Sequence, residues 1–176
     1  HPRVRRQRQM CIRDRMNQIV LEILSLSSVQ ELAGDKEWIQ LDQVVEQILD
    51  QYKVLAQSRA LTIDNQIPAK PIYMDPAILK LVLSNVISNA VKHSDAGGEI
   101  QLRLEEEGTH LAVENTSQEM VETAEMPMSA SRQKKEGGLG LFVVQHLLDH
   151  EELAYQFDKT AMGLRFRMEL PKEPQE

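Results

Sequence analysis

Cysteine occurs once in 176 residues, at Cys11. One thiol builds neither a disulfide framework nor a thiolate metal site, which fits a reducing compartment. Aromatic rings are nearly as scarce, with three Phe, three Tyr and one Trp. That is too few for an extended platform on which single-stranded nucleic acid could stack. No apolar run approaches the roughly 18 residues needed to span a bilayer, and no signal-peptide pattern is visible. Basic residues are in deficit, 20 Lys and Arg against 27 Asp and Glu. The deficit sharpens beyond the N-terminus, because residues 1–15 hold six Arg (Arg3, Arg5, Arg6, Arg8, Arg13, Arg15) and one acid, Asp14. Residues 16–176 carry 14 basic and 26 acidic side chains, a formal charge of −12. A body of that sign argues against nucleic acid as a partner.

What remains is an ordinary soluble composition, 41% apolar and 27% charged, enough for one domain and an appendage in the cytoplasm. The basic head could serve as a juxtamembrane or nucleic-acid patch. A duller origin fits better: Met10-Cys11-Ile12-Arg13-Asp14-Arg15 resembles a translated sequencing adapter fused to a truncated gene, and residues 1–15 are assigned no function. Met16, Ile19, Val20, Ile23 and Leu24 recur at helical spacing and predict an amphipathic helix over about 13–31. Residues 33–36 break it. Glu37–Leu41 reads as a short strand with Trp38 as its anchor. Asp42 then caps a helix over 43–58 whose apolar positions are Val44, Val45, Ile48, Leu49 and Tyr52.

Leu61–Ile63 and Ile72–Met74 predict brief strands, with a loop between Pro68 and Pro71. Asp75-Pro76 is a cap with proline at the first helical position, opening a helix to His93 that Ser94–Gly98 ends. Glu99–Glu105 and His110–Glu114 form a hairpin across Glu107–Thr109, and Glu105–Glu107 reads as its solvated end. Residues 115–137 lack periodicity, as a lid or binding loop would. A helix over Leu139–Asp149, strands at 153–158 and 163–170, and a polar tail from Pro171 complete the chain. The order predicts an α+β domain, one sheet with helices on one face.

The Pro76 helix carries the most pointed chemistry. Asn85, Asn89 and Lys92 fall within a narrow arc beside the apolar face of Leu79, Val82, Leu83, Val86 and Ala90. Asn is a poor helix former, so two of them beside a core face work against local stability. Such a row suits a polyanion and its metal, since amide oxygens ligate Mg²⁺ and a lysine meets phosphate. A solvated helix edge is the bland alternative. Glu136-Gly137-Gly138-Leu139-Gly140-Leu141 stands where the long loop becomes a helix, where backbone N–H groups close around phosphate oxygens.

In order and in residues the chain resembles the ATP-binding domain of sensor histidine kinases, within the group that includes gyrase, a heat-shock chaperone and a mismatch-repair ATPase. Leu83-Ser84-Asn85-Val86-Ile87-Ser88-Asn89-Ala90-Val91-Lys92-His93-Ser94 resembles the N box, and Asp75 at the mouth of that helix is typical of it. Val113-Glu114-Asn115-Thr116-Ser117 occupies the place of the first glycine box, Gly138-Leu139-Gly140-Leu141 matches the second, and Gly163–Pro171 the closing strand. The resemblance implies a Bergerat-type two-layer α/β sandwich: a mixed sheet of about five strands with three main helices on one face. It implies an ATP-binding catalytic domain over 36–171, a remnant of the second dimerisation helix over 16–31, and a tail over 172–176.

By the same resemblance Asn89 and Asn85 hold Mg²⁺ and phosphate, Lys92 contacts phosphate, and His93 lies against base or ribose. Asn115 and Ser117 stand at the adenine site, Gly138 to Leu141 around the phosphates, and Arg132 near the terminal phosphate. Hydrolysing relatives have a Glu in the place of Asn85; an amide cannot take a proton from water, so this site suits transfer rather than hydrolysis. The implied cofactors are ATP and Mg²⁺. The implied partners are the protein's own dimerisation domain, a second copy in a homodimer and the receiver domain of a response regulator, on the cytoplasmic side of a cell-membrane sensor.

The chain departs from the pattern at several positions. Asn115 replaces the usual Asp, Ser117 and Glu119 replace two glycines, Glu136 replaces the first glycine of the second box, and Met128 replaces the lid phenylalanine. None of His1, His93, His110, His146 or His150 sits on an N-terminal helix beside an acid, so the phosphoacceptor is expected upstream of residue 16 and no catalytic residue lies within the fragment. Ser117, Glu119 and Glu136 favour one rival, a degenerate interaction module without ATP; a second rival, a serine-directed kinase of the anti-sigma type, is opposed by the dimerisation-like helix at 15–29. His146 and His150, four apart, read as an ordinary helix end rather than a metal pair, and the lid Met residues as packing.

Overall fold

The computed structural model describes residues 34–118 and 139–172. The helix expected over 13–31, Glu119, the lid Met residues, Arg132, Glu136 and Gly138 lie outside the described residues, as does the side chain of Leu139. Strand β1 (Glu37–Gln40) leads straight into helix α1 (Leu41–Ser58). Asp42 is not the cap. The helix opens at Leu41, a fully buried residue whose amide donates to the Lys70 carbonyl at 2.9 Å, and Gln40 holds the cap position without a side-chain bond. Asp42 sits instead in the first turn, where its charge still favours the positive end of the helix.

β2 (Thr62–Asn65) and β3 (Pro71–Met74) precede helix α2 (Pro76–His93). Asp75 caps α2 as its sequence predicts: one carboxylate oxygen accepts from Ala77 N at 2.8 Å, and the other accepts from Gly34 N. Nearly every turn of α2 is buried, from Ile78 and Leu79 through Val82, Leu83, Val86 and Ile87 to Ala90 and Val91. The reason is position: α2 packs on α1 along one side, on helix α3 (Leu139–His150) along the other, and on the sheet below.

That sheet has five strands in the order β2-β4-β5-β7-β6, with β4 (Glu99–Glu105), β5 (His110–Thr116), β6 (Tyr155–Lys159) and β7 (Gly163–Glu169). β2 pairs with β4 in parallel and the other neighbours are antiparallel, so the sheet is mixed. Ile100, Leu102, Leu111, Val113, Phe166 and Met168 form its buried row under the helices. β1 and β3 do not join it; they pair with each other as a separate antiparallel ribbon. There Trp38 faces Tyr73 with ring centroids 5.6 Å apart, and at 52% exposure it holds the ribbon by cross-strand contact rather than by burial.

The hairpin end is more than a solvated acidic tip. Glu105 accepts from Arg103 at 3.1 Å and stands 3.6 Å from Arg165, while Glu106 pairs with Arg167 at 2.9 Å. Arg103 is local to β4, whereas Arg165 and Arg167 arrive on β7, about sixty residues downstream, through its pairing with β5. Tyr155, at the start of β6, hydrogen-bonds Asp149 near the end of α3; burial first, and that carboxylate second, push its hydroxyl above the ordinary tyrosine value. His146 stacks on Phe142 and His150 stands 3.4 Å from Glu151, so the helix-end histidines are engaged locally.

Candidate functional site

A groove opens between the C-terminal half of α2, the start of α3 and the helix-facing side of the sheet. Helix α2 contributes Val86, Asn89, Ala90 and His93; β5 contributes Val113 and Asn115; α3 gives Leu141. Phe157, Leu164 and Phe166 of β6 and β7 close the floor. The walls are thus apolar, with carboxamides and one imidazole set among them.

Register decides how Asn115 comes to be there. Along β5 the side chains alternate, and Leu111, Val113 and Asn115 share the face that meets the helices. Asn115 lies opposite Ile100 and Leu164, and only 5% of it is exposed. Its Nδ2 is shielded from solvent and has no hydrogen-bond partner among the described residues. Asn89 Nδ2, across the groove on α2, is in the same condition. A buried amide donor without a partner costs on the order of 1–3 kcal/mol, so two around one groove mark a place that stability alone would not select.

Asn85, one turn before Asn89, is held differently. Its Nδ2 donates to the Leu81 carbonyl at 2.7 Å, and Oδ1 has no hydrogen-bond partner among the described residues. That oxygen lies against Gly140 in the first turn of α3, where an added methyl would sit only 2.7 Å from it. The absence of a side chain at Gly140 therefore lets the α3 N-terminus approach the Asn85 amide. Lys92 and His93 are exposed at the last turn of α2, and among the described residues Lys92 has no ion-pair partner.

The far end of β5 is fixed by backbone contacts. Ser117 is 3% exposed and its N–H donates to the Met162 carbonyl at 2.9 Å; it is not among the groove-lining residues. Asp95 ties this end to α2, its amide donating to the Thr116 carbonyl at 2.9 Å and its carboxylate accepting from Gln118 N at 2.7 Å. Gly163 crosses β5 so closely that a Cβ there would overlap the Asn115 carbonyl oxygen and the Ser117 amide.

Of the residues singled out in the sequence, Asn89, His93, Asn115 and Leu141 meet in one groove, and Asn85 meets Gly140 beside it. Spacing alone did not single out Val86, Phe157, Leu164 and Phe166. Val86 lies in the N box and Leu164 and Phe166 in the matched closing strand, but like Phe157 they stand on core-facing rows that they share with many residues that line nothing.

A model of the family described as histidine kinase-, DNA gyrase B- and HSP90-like ATPases matches residues 74–174. The sensor histidine protein kinase HK06 of Streptococcus pneumoniae is 30% identical over 89% of this chain and 37% of its own length. The sensor protein VanSB of Enterococcus faecalis is 31% identical over 92% of this chain and 40% of its own. The chain thus spans less than half of the curated relatives it matches. Among solved structures, the cytoplasmic segment of the histidine kinase QseC superposes over 91% of this chain and 95% of that one, with a TM-score of 0.65 at 19% identity. The fold, the order of the boxes and these matches agree: the chain belongs to the histidine kinase-, DNA gyrase B- and HSP90-like ATPase family and carries the ATP-binding catalytic domain of the sensor histidine kinase type.

Proposed function

We propose that this groove holds the magnesium complex of ATP, and that the protein to which the chain belongs transfers the terminal phosphoryl group to a histidine on a dimerisation helix. The observation that carries the reading is the pair of buried, unpartnered amide donors, Asn89 and Asn115, across one apolar groove. The donor set suits the metal: Mg²⁺ prefers hard oxygen ligands and keeps several waters, and Asn85, with Nδ2 committed to Leu81, has its oxygen to offer beside that of Asn89. Bound magnesium would neutralise phosphate charge. Lys92 would add a cation at the same end, Gly138 to Leu141 their backbone donors and Arg132 a guanidinium, while His93 and Asn115 would stand at the nucleoside end, with Ser117 behind Asn115 rather than in the groove.

Among the described residues none that lines the groove is a carboxylate, and Asn85 cannot act as a general base. Positioning for transfer therefore fits better than hydrolysis. The supporting relatives are sensor kinases, so the reading extends to a homodimer, a receiver-domain partner, a cytoplasmic placement in a membrane sensor, and a domain over 36–171 preceded by dimerisation helix at 16–31. Among the described residues no helix is long and apolar enough to cross a membrane.

Thermal unfolding of the full chain tests the binding reading. ADP with Mg²⁺ at about 100 times its dissociation constant should add about 2.7 kcal/mol, or roughly 5–10 °C in a domain of this size. Chelating the metal should remove most of that shift. No shift at millimolar nucleotide would leave the non-catalytic interaction module as the better account.

A further inference from the structure

The base-reading end of the groove has an unusual composition. Its walls are hydrocarbon, chiefly Val86, Ala90, Val113, Leu164 and Phe166. Among the described residues that line it, the most buried polar group is the Asn115 carboxamide, 5% exposed, with an Nδ2 that is shielded and has no hydrogen-bond partner among them. The neighbouring carboxylate offers no alternative. Glu114 lies on the opposite face of β5 and is bound to Arg103 at 3.2 Å. The group that would read the base is therefore neutral, and it presents a donor beside an acceptor.

We propose that the site accepts 6-oxopurine nucleotides, of the inosine and guanine type, as well as 6-aminopurine nucleotides, with Asn115 as the residue that sets this breadth. The proposal rests on the nucleotide-binding reading above. A carboxamide oxygen accepts from the exocyclic amine of adenine while its N–H donates to ring N1. Turned over about its terminal torsion, the same group donates to the 6-oxo oxygen and accepts from the protonated N1 of inosine or guanine. A carboxylate has no such second mode; it would set two acceptors against each other at the 6-oxo position, with its charge buried. The unpartnered Nδ2 is the atom that opens this mode.

Titration calorimetry of the full chain with ADP and with IDP, each with Mg²⁺, tests this, because the two ligands differ only at the edge Asn115 would read. The two dissociation constants should agree within about tenfold, roughly one net hydrogen bond. Asn115→Asp should then weaken IDP relative to ADP by more than about tenfold. A wild-type preference for ADP above about tenfold would overturn the proposal and leave nucleotide binding intact. An unchanged ratio in Asn115→Asp would also overturn it, since another group would be reading the base. Binding of neither ligand would remove both the proposal and the reading beneath it. Should Asn115→Asp fail to fold, the wild-type ratio decides alone.

Discussion

Asn89→Ala should lower the affinity for magnesium-bound nucleotide by about 100-fold or more and leave the melting temperature of the ligand-free protein unchanged or slightly raised. The two halves of that result have separate causes. A side chain that only supports a metal ligand costs about 10–100-fold when removed, and a direct oxygen ligand belongs at or above the top of that range. On the stability side, Asn89 Nδ2 is shielded and makes no hydrogen bond among the described residues. Alanine removes an unsatisfied donor and is the better helix former in the middle of α2. The space vacated joins a groove rather than a closed core, so the cavity penalty is small. Calorimetry and thermal unfolding of the same preparation check both halves. A large fall in melting temperature would show that Asn89 is structural and that its unpartnered amide has been misread.

Gly163→Ala is the second large effect, and it acts through the fold. Gly163 opens β7 opposite Thr116, and a methyl on it would overlap the Asn115 carbonyl and the Ser117 amide. Both are backbone atoms, one in β5 and one just past its end, and cannot rotate aside as a side-chain end would. β5 and β7 must separate at that point, costing about 2–3 kcal/mol as overpacking does. In a domain of this size that is a fall of roughly 5–10 °C. Because the strained segment also carries Asn115, nucleotide affinity should fall with it. Gly140→Ala makes the contrasting control: the three atoms nearest its methyl all belong to the Asn85 side chain, and the tightest of them is the terminal Oδ1. Stability should then stay within about 1 kcal/mol of wild type. Equal destabilisation by both would contradict this distinction between backbone and side-chain contact.

Much of the fold was legible because local rules carried it. Asp75-Pro76 announces the start of α2 through cap chemistry contained in two residues, and the hairpin is marked by alternation on both sides of Glu107–Thr109. The departures arise where distant segments decide. Asp42 has the right chemistry for a cap, but burial of Leu41 and its bond to the Lys70 carbonyl start the helix one residue before it. The separate ribbon joins Trp38 to Tyr73, and the pairing of Glu105 with Arg165 and of Glu106 with Arg167 depends on β7. No local pattern contains those pairings. The site divides the same way. Asn85 and Asn89 were legible as helical neighbours, whereas the inward direction of Asn115 follows from strand parity, and the closeness of Gly140 to Asn85 from packing of α3 on α2.

The central claim is that carboxamides on α2 and β5 grip the nucleotide from opposite sides, and side-chain amide resonances report on it most directly. In ¹H–¹⁵N spectra, titration with ADP and Mg²⁺ should move the NH₂ signals of Asn89 and Asn115 together along one saturation curve. The NH₂ signal of Asn65, on the opposite edge strand β2, should stay in place. If nucleotide binds while both groove amides remain unmoved, it binds elsewhere and the account is wrong.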